Sequence, residues 1–242
     1  MMSELLPVDI AIADYLTRWH ADLIGTTKGV EAFAARSPAN SLFIASGRMI
    51  DDAQAMLDSF RRNNTDTGPS GANQGAKFPC VISCTGKDYV PTTADWAAKH
   101  LPKQQVQIEP NGSWYEYQQA MCDIRWQLAI FADERQTASS LAAQFHLFMA
   151  QPSNKRFKAK HTFGQYEVHA PIMIESTEPS ASNIQIDGQR NITCLAIDVT
   201  LKVVIPYFRA PKLGDPNDNS ANSPQGFPVV IDIYGDNWHV GV

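Results

Sequence analysis

The chain is poor in several things, and each shortage excludes a class of protein. Charged residues make up 19% of the 242, below the usual quarter, so the chain is not a solvated, disordered polymer. Basic residues are outnumbered, 20 Lys+Arg against 25 Asp+Glu, and the net charge of −5 argues against a global nucleic-acid binder. No apolar run approaches the ~20 residues that cross a bilayer. The N-terminal residues carry Glu4 and Asp9 and no basic cluster, which is not the pattern of a signal peptide. Only four cysteines occur: Cys80, Cys84, Cys122 and Cys194. Cys80 and Cys84 on one strand would stand about 13 Å apart, too far for a disulfide. No C-x-x-C pair suggests a zinc ribbon, so the expectation is buried free thiols.

Catalytic signatures are equally scarce. There is no P-loop, dinucleotide fingerprint, H-E-x-x-H or G-x-S-x-G. The six histidines are scattered, and His146 with His169 is the one pair that a core helix and a sheet bring within reach. Cys84, followed by Thr85 and Gly86 at a strand end, is the one candidate nucleophile, without a basic partner nearby in sequence. Asp51-Asp52 and Asp133-Glu134 are accounted for as acids at helix starts. The expectation is a protein that is not an enzyme, with no cofactor, no metal and no membrane contact.

What is present is a set of clear periodicities. Val8, Ile12, Tyr15, Leu16, Trp19 and Leu23 trace one face of a helix over 8–24. Residues 26–46 are mixed. A second amphipathic helix spans 48–62, with Arg61 and Arg62 at its end. Residues 63–76 are rich in Gly, Asn, Ser and Thr and read as a linker or loop. Residues 78–85 form a short strand, and a short helix is expected at 93–100. In 121–131, Ile124, Trp126, Leu128 and Ile130 alternate with more polar positions, the mark of a strand with one face on a core. A helix over 135–150 follows, with Leu141, Phe145 and Phe148 on one face. Strands are expected at 166–174 and 193–205, the latter with Ile197, Val199, Leu201 and Val203 inward. The polar stretch 176–191 between them is long enough for an extended hairpin. The fold class is α+β: a mostly antiparallel sheet packed on one main helix, with an N-terminal helical part and extended arms. The organisation read from composition is 1–76, a core domain at 77–208, and a C-terminal arm at 209–242.

Two segments suggest contacts. Lys155, Arg156, Phe157, Lys158 and Lys160 form the only basic cluster, which reads either as a solvated loop after a helix or as a contact for an acidic partner or passing DNA. Val229, Val230, Ile231, Ile233 and Tyr234 form an apolar run after about twenty polar residues, suited to adding a strand to its own sheet or a neighbour's.

The middle of the chain resembles the tail terminator (tail sheath stabiliser, or tail completion) proteins of contractile-tailed bacteriophages. The resemblance rests on Phe78-Pro79-Cys80-Val81-Ile82, on the aromatic Trp114-Tyr115-Glu116-Tyr117, on the strand that ends Ile130-Phe131-Ala132-Asp133, on the helix through Phe145 and Phe148, and on Val203 to Pro211, with Tyr207 and Phe208 beside prolines. It covers roughly 77–211. It implies a structural virion protein, assembled in the host cytoplasm, that forms a ring, a hexamer, at the head-proximal end of the tail. Such a ring stops polymerisation of tail tube and sheath proteins and joins the tail to the head–tail connector. DNA would pass its lumen without specific binding. Another neck, sheath-initiator or baseplate ring subunit is the alternative, and a small cysteine hydrolase using Cys84 is a third reading.

Overall fold

The structure is a computed structural model, and it describes residues 6–49, 51–63, 66–67, 73–74, 77–86, 90–91, 104–107, 114–163, 166–176, 181–184 and 191–209. Four helices and a large mixed sheet among these residues make the fold α+β. The expected helix at 93–100 and the apolar run 229–234 lie outside the described residues.

The chain divides into two compact units. The first comprises Met1–Thr92, Cys122–Ala159 and Pro171–Val203. Helix α1 (Leu6–Ala21) ends three residues before the sequence pattern suggests, and α2 (Lys28–Ala35) lies in the stretch that carries no clear period. Thr27 caps α2: its hydroxyl accepts from Val30 N–H at 3.2 Å. A short 3₁₀ turn at Pro38–Asn40 leads into strand β1 (Leu42–Ala45). The expected helix over 48–62 is shorter. A 3₁₀ turn at Gly47–Met49 is followed by Asp51 at φ 66°, and helix α3 (Ala53–Asn63) begins only then. The left-handed residue breaks the helical path, which the hydrophobic period alone does not reveal. Of the 63–76 stretch, the structure describes a two-rung antiparallel ladder between β2 (Asp66–Thr67) and β3 (Asn73–Gln74).

Strand β4 (Cys80–Thr85) runs parallel to β1 and antiparallel to β7 (Trp114–Ala132), with β5 (Val90–Pro91) also on β7. After β7 come helix α4 (Arg135–Ala150), β8 (Arg156–Phe163), β9 (Tyr166–Ile174), β10 (Ala181–Ile184) and β11 (Thr193–Arg209). The strand order is β1-β4-β7-β11-β9-β8, with β10 antiparallel on β11 beside Cys194–Ile197.

The core of this unit has two layers, not the single one that alternation suggests. Ile124, Trp126, Leu128 and Ile130 of β7 face one side, with Ile197, Val199, Leu201 and Val203 of β11 also buried. Trp126 meets Phe145 of α4 at 5.6 Å and Tyr15 of α1 at 5.9 Å, both edge-to-face. Trp19 packs on Phe145 at 5.2 Å, so α1 shares the core of β7 and α4, where Leu141 and Phe148 are also buried. Ala129 and Phe131, on the other face, join Cys80, Ile82, Cys84 and Cys194 in a cluster under Met56, Leu57 and Phe60 of α3. Successive strand residues point to opposite sides, so α3 covers the face that α1 and α4 do not. This is why all six residues of β4 are buried. Helices α2 and α4 approach closely: a Cβ at Gly29 would stand 2.6 Å from Thr137 Oγ1.

The second unit comprises Thr93–Met121, Lys160–Ala170 and Val204–Val242. Strand β6 (Gln104–Gln107) pairs antiparallel with the start of β7. An aromatic cluster fills its described part. Phe163 stacks on Phe208 at 4.8 Å with planes 7° apart, and Tyr115, Tyr117 and Tyr166 meet them.

Candidate interaction surface

The face of the sheet beside α3 carries a cluster of charged and amide side chains. Helix α3 covers Ala129 and Phe131 but leaves Asp123, Arg125 and Gln127 beyond its own cluster. Arg125 reaches out to two carboxylates. Its Nη1 and Nη2 donate to Asp51 Oδ2 and Oδ1, both at 2.6 Å, and its Nε donates to Asp198 Oδ1 at 2.9 Å. Gln127 lies beneath, 2% exposed. Its amide donates to Asp51 Oδ1 at 3.0 Å and Asp198 Oδ1 at 3.2 Å, while its carbonyl accepts from Asp51 N–H at 2.8 Å. The hydrogen bonds from Arg125 hold the Asp51 carboxyl below its usual range, and Gln127 adds to the effect. Asp51 is therefore not a helix-dipole acid. That role falls to Asp52, whose Oδ1 accepts from Ala55 N–H at 2.8 Å. Asp133 and Glu134 likewise precede α4, which begins at Arg135 and has no acid in its first turn. Farther along the same face, Lys202 pairs with Glu175 at 3.1 Å and lies 3.7 Å from Asp123.

The basic cluster is a strand. Residues Arg156–Phe163 form β8, the last in the strand order, so the loop reading is corrected. The alternation of that segment decides it: Ala159 and His161 are buried, while Arg156, Lys158 and Lys160 are exposed. Lys160 is paired with Glu167 at 2.6 Å. Phe157 is half-buried, with its ring 4.9 Å from Tyr15. It packs against the buried Tyr15 of the first unit. Lys155 is half-buried, and its carbonyl accepts from Ile174 N–H at 3.0 Å.

The candidate nucleophile does not have the surroundings of one. Cys84 is buried and its Sγ donates to Ser46 O at 3.2 Å. Burial pushes its thiol up to about 11, with only partial relief from a backbone hydrogen bond. All four cysteines are buried and free. His146 is half-buried on α4 with no hydrogen-bond partner for Nε2 among the described residues, and His169 is exposed on β9. Among the described residues no group of three or more ligating side chains is placed to hold a metal. No described helix is long and apolar enough to cross a membrane.

Sequence reasoning missed the Arg125 network. It assigned Arg125 and Gln127 to the polar face of β7, and nothing local ties them to Asp51, more than 70 positions earlier. The sequence matches no family model and no curated protein.

Proposed function

We propose that the chain is a structural subunit of a contractile phage tail, forming a ring at the head-proximal end. There it ends polymerisation of tube and sheath and joins the tail to the head connector. The observation that carries the reading is the order of elements behind the resemblance. The strand that follows Phe78-Pro79, the long strand through Ile130-Phe131, the helix through Phe145 and Phe148, and the last described strand, bearing Tyr207 and Phe208, are all elements of this fold. A buried, hydrogen-bonded Cys84 with a raised thiol supports this reading over that of a cysteine hydrolase. A ring needs two different patches on each subunit that meet head to tail and close.

The test is the position of the protein in particles. Gold-labelled antibody in negative-stain microscopy is expected at the neck. Labelling at the opposite end would transfer the chain to the baseplate, and its absence from particles would end the structural reading.

A further inference from the structure

Among the described strands, the sheet order ends at β8 on one side and at β1 on the other, and the two ends differ in kind. On β8, Arg156, Lys158 and Lys160 are exposed at alternate positions, and cations along an end strand oppose the addition of another strand. On β1 the sequence is Leu42-Phe43-Ile44-Ala45, without charge or proline. Val81 N–H donates to Ser41 O at 2.9 Å and Leu42 is level with Val81, so Ser41, Phe43 and Ala45 turn their main-chain groups toward β4. In a parallel pair the residues between them point the other way. The N–H and C=O of Leu42 and Ile44 therefore face outward, without a partner among the described residues. Phe43 packs edge-to-face on Phe60 of α3 at 4.4 Å, so the Ile44 side chain points to the opposite face, where it is 43% exposed. Beside this edge, Phe43 and Ala45, Met56 and Phe60 of α3, and Ile82 of β4 line an open groove of about 250 Å³.

We infer that this edge and its groove take the segment 229–234 of a second copy of the chain as an added strand. The segment reads Val-Val-Ile-Asp-Ile-Tyr, β-branched and aromatic apart from its one acid, the composition of a strand. Extended, it puts Val229, Ile231 and Ile233 on one face and Val230, Asp232 and Tyr234 on the other. The wholly apolar face matches the apolar groove, and the other keeps Asp232 out of it. Main-chain bonds to Leu42 and Ile44 hold the strand, and the groove selects its side chains. The tether is long enough: Arg209 closes β11, and the roughly twenty residues from there to Val229 reach up to about 70 Å when extended. That the strand comes from a second copy rests on the ring reading. A ring closes through two different patches that meet head to tail, and a strand and an open sheet edge are such a pair.

Cysteine pairs on the full chain test this, since the native thiols are buried. Ile44→Cys is mixed in turn with Val230→Cys, Asp232→Cys and Tyr234→Cys under a mild oxidant, because residues on one face of neighbouring strands stand within disulfide reach. A covalent pair of two chains is expected in at least one mixture. In light scattering, Ile44→Pro should weaken self-association by more than about tenfold, because proline removes an outward N–H that the chain's own sheet does not use. I231D/I233D should have the same effect from the other side of the contact, leaving β1 untouched. Thermal melts should show both variants folded. No cross-link in any mixture overturns the proposal. So does a cross-link that forms only when both cysteines are on one chain, which assigns the segment to its own sheet. I231D/I233D associating like wild type overturns it as well. The position of the protein in particles is read separately. Neck labelling without a cross-link removes this contact and keeps the ring reading, whereas a cross-link with no labelling at the neck keeps the contact and removes that reading.

Discussion

Asp51 and Arg125 face each other fork to fork, with two N–H···O contacts of 2.6 Å closed across 74 positions of sequence. Asp51 makes them from a left-handed backbone conformation, φ 66°, at the entry to α3. The pair thus joins a strained turn to a central strand of the sheet, and it sits over buried Gln127, whose amide donates to Asp51 and Asp198.

The strain and the ion pair are separable. Asp51→Ala loses the carboxylate and keeps a Cβ in the left-handed region, whereas Asp51→Gly loses the carboxylate and the strained Cβ together. Urea unfolding should show the glycine variant more stable than the alanine variant by about 1 kcal/mol. Equal stabilities would mean the turn relaxes freely.

A double-mutant cycle on Asp51→Ala and Arg125→Ala measures the pair itself. The side chains are 59% and 46% exposed, so solvent screening limits the coupling to about 0.5–1 kcal/mol despite the bidentate geometry. A coupling of several kcal/mol would show that the pair is shielded from water in solution.

Trp126 is fully buried, and its indole N–H donates to Ser83 Oγ at 2.8 Å. Trp126→Ala should cost about 3–5 kcal/mol in urea unfolding. Trp126→Asp adds an unpaired buried charge and should abolish folding by circular dichroism. A folded Asp variant would mean that this face of β7 is open to water.

Burial holds His20, His146 and His161 below the ordinary imidazole value, with Phe33 O partly opposing the effect at His20 through a 3.0 Å contact with Nε2. Protonation therefore favours the unfolded chain, whose histidines titrate near about 6.5. Stability should be full above that value and fall as pH drops toward the lower folded values. Burial raises Asp9 more than the hydrogen bond from Thr85 lowers it, so Asp9 acts in the opposite sense at lower pH. Melting temperatures from pH 7.5 down to about 5 should decline, and His20→Gln, which does not titrate, should flatten part of the slope. A wild-type curve without slope would count against neutral buried histidines.

The four cysteines should resist a thiol reagent in the native protein and react together on unfolding. Burial raises Cys80 and Cys84, and it pushes Cys194 up to about 12. Rapid native labelling at Cys84 alone would reopen the nucleophile reading.

Local order was legible in the residues themselves. A period of two in 121–131 and in 193–205, and a helical period in 8–24 and 135–150, placed four main elements and their inward residues, because burial of one face imposes its period on the chain. Two kinds of feature were not legible. Helix α2 depends on a local Thr27 cap and on Thr27 and Gly29 fitting against Thr137, over a hundred positions away, and neither contact leaves a hydrophobic period. The second apolar layer under α3 was hidden because a strand covered on both faces loses its alternation, as at Ala129 and Phe131. The basic segment shows the division most plainly. Its sequence determined that Arg156, Lys158 and Lys160 would share one side. Only the tertiary structure decided that this side belongs to the last of the described strands in the sheet order, with Arg156 and Lys158 unpaired among the described residues and Phe157 turned toward Tyr15, because strand order and pairing are set by contacts between residues far apart in the chain.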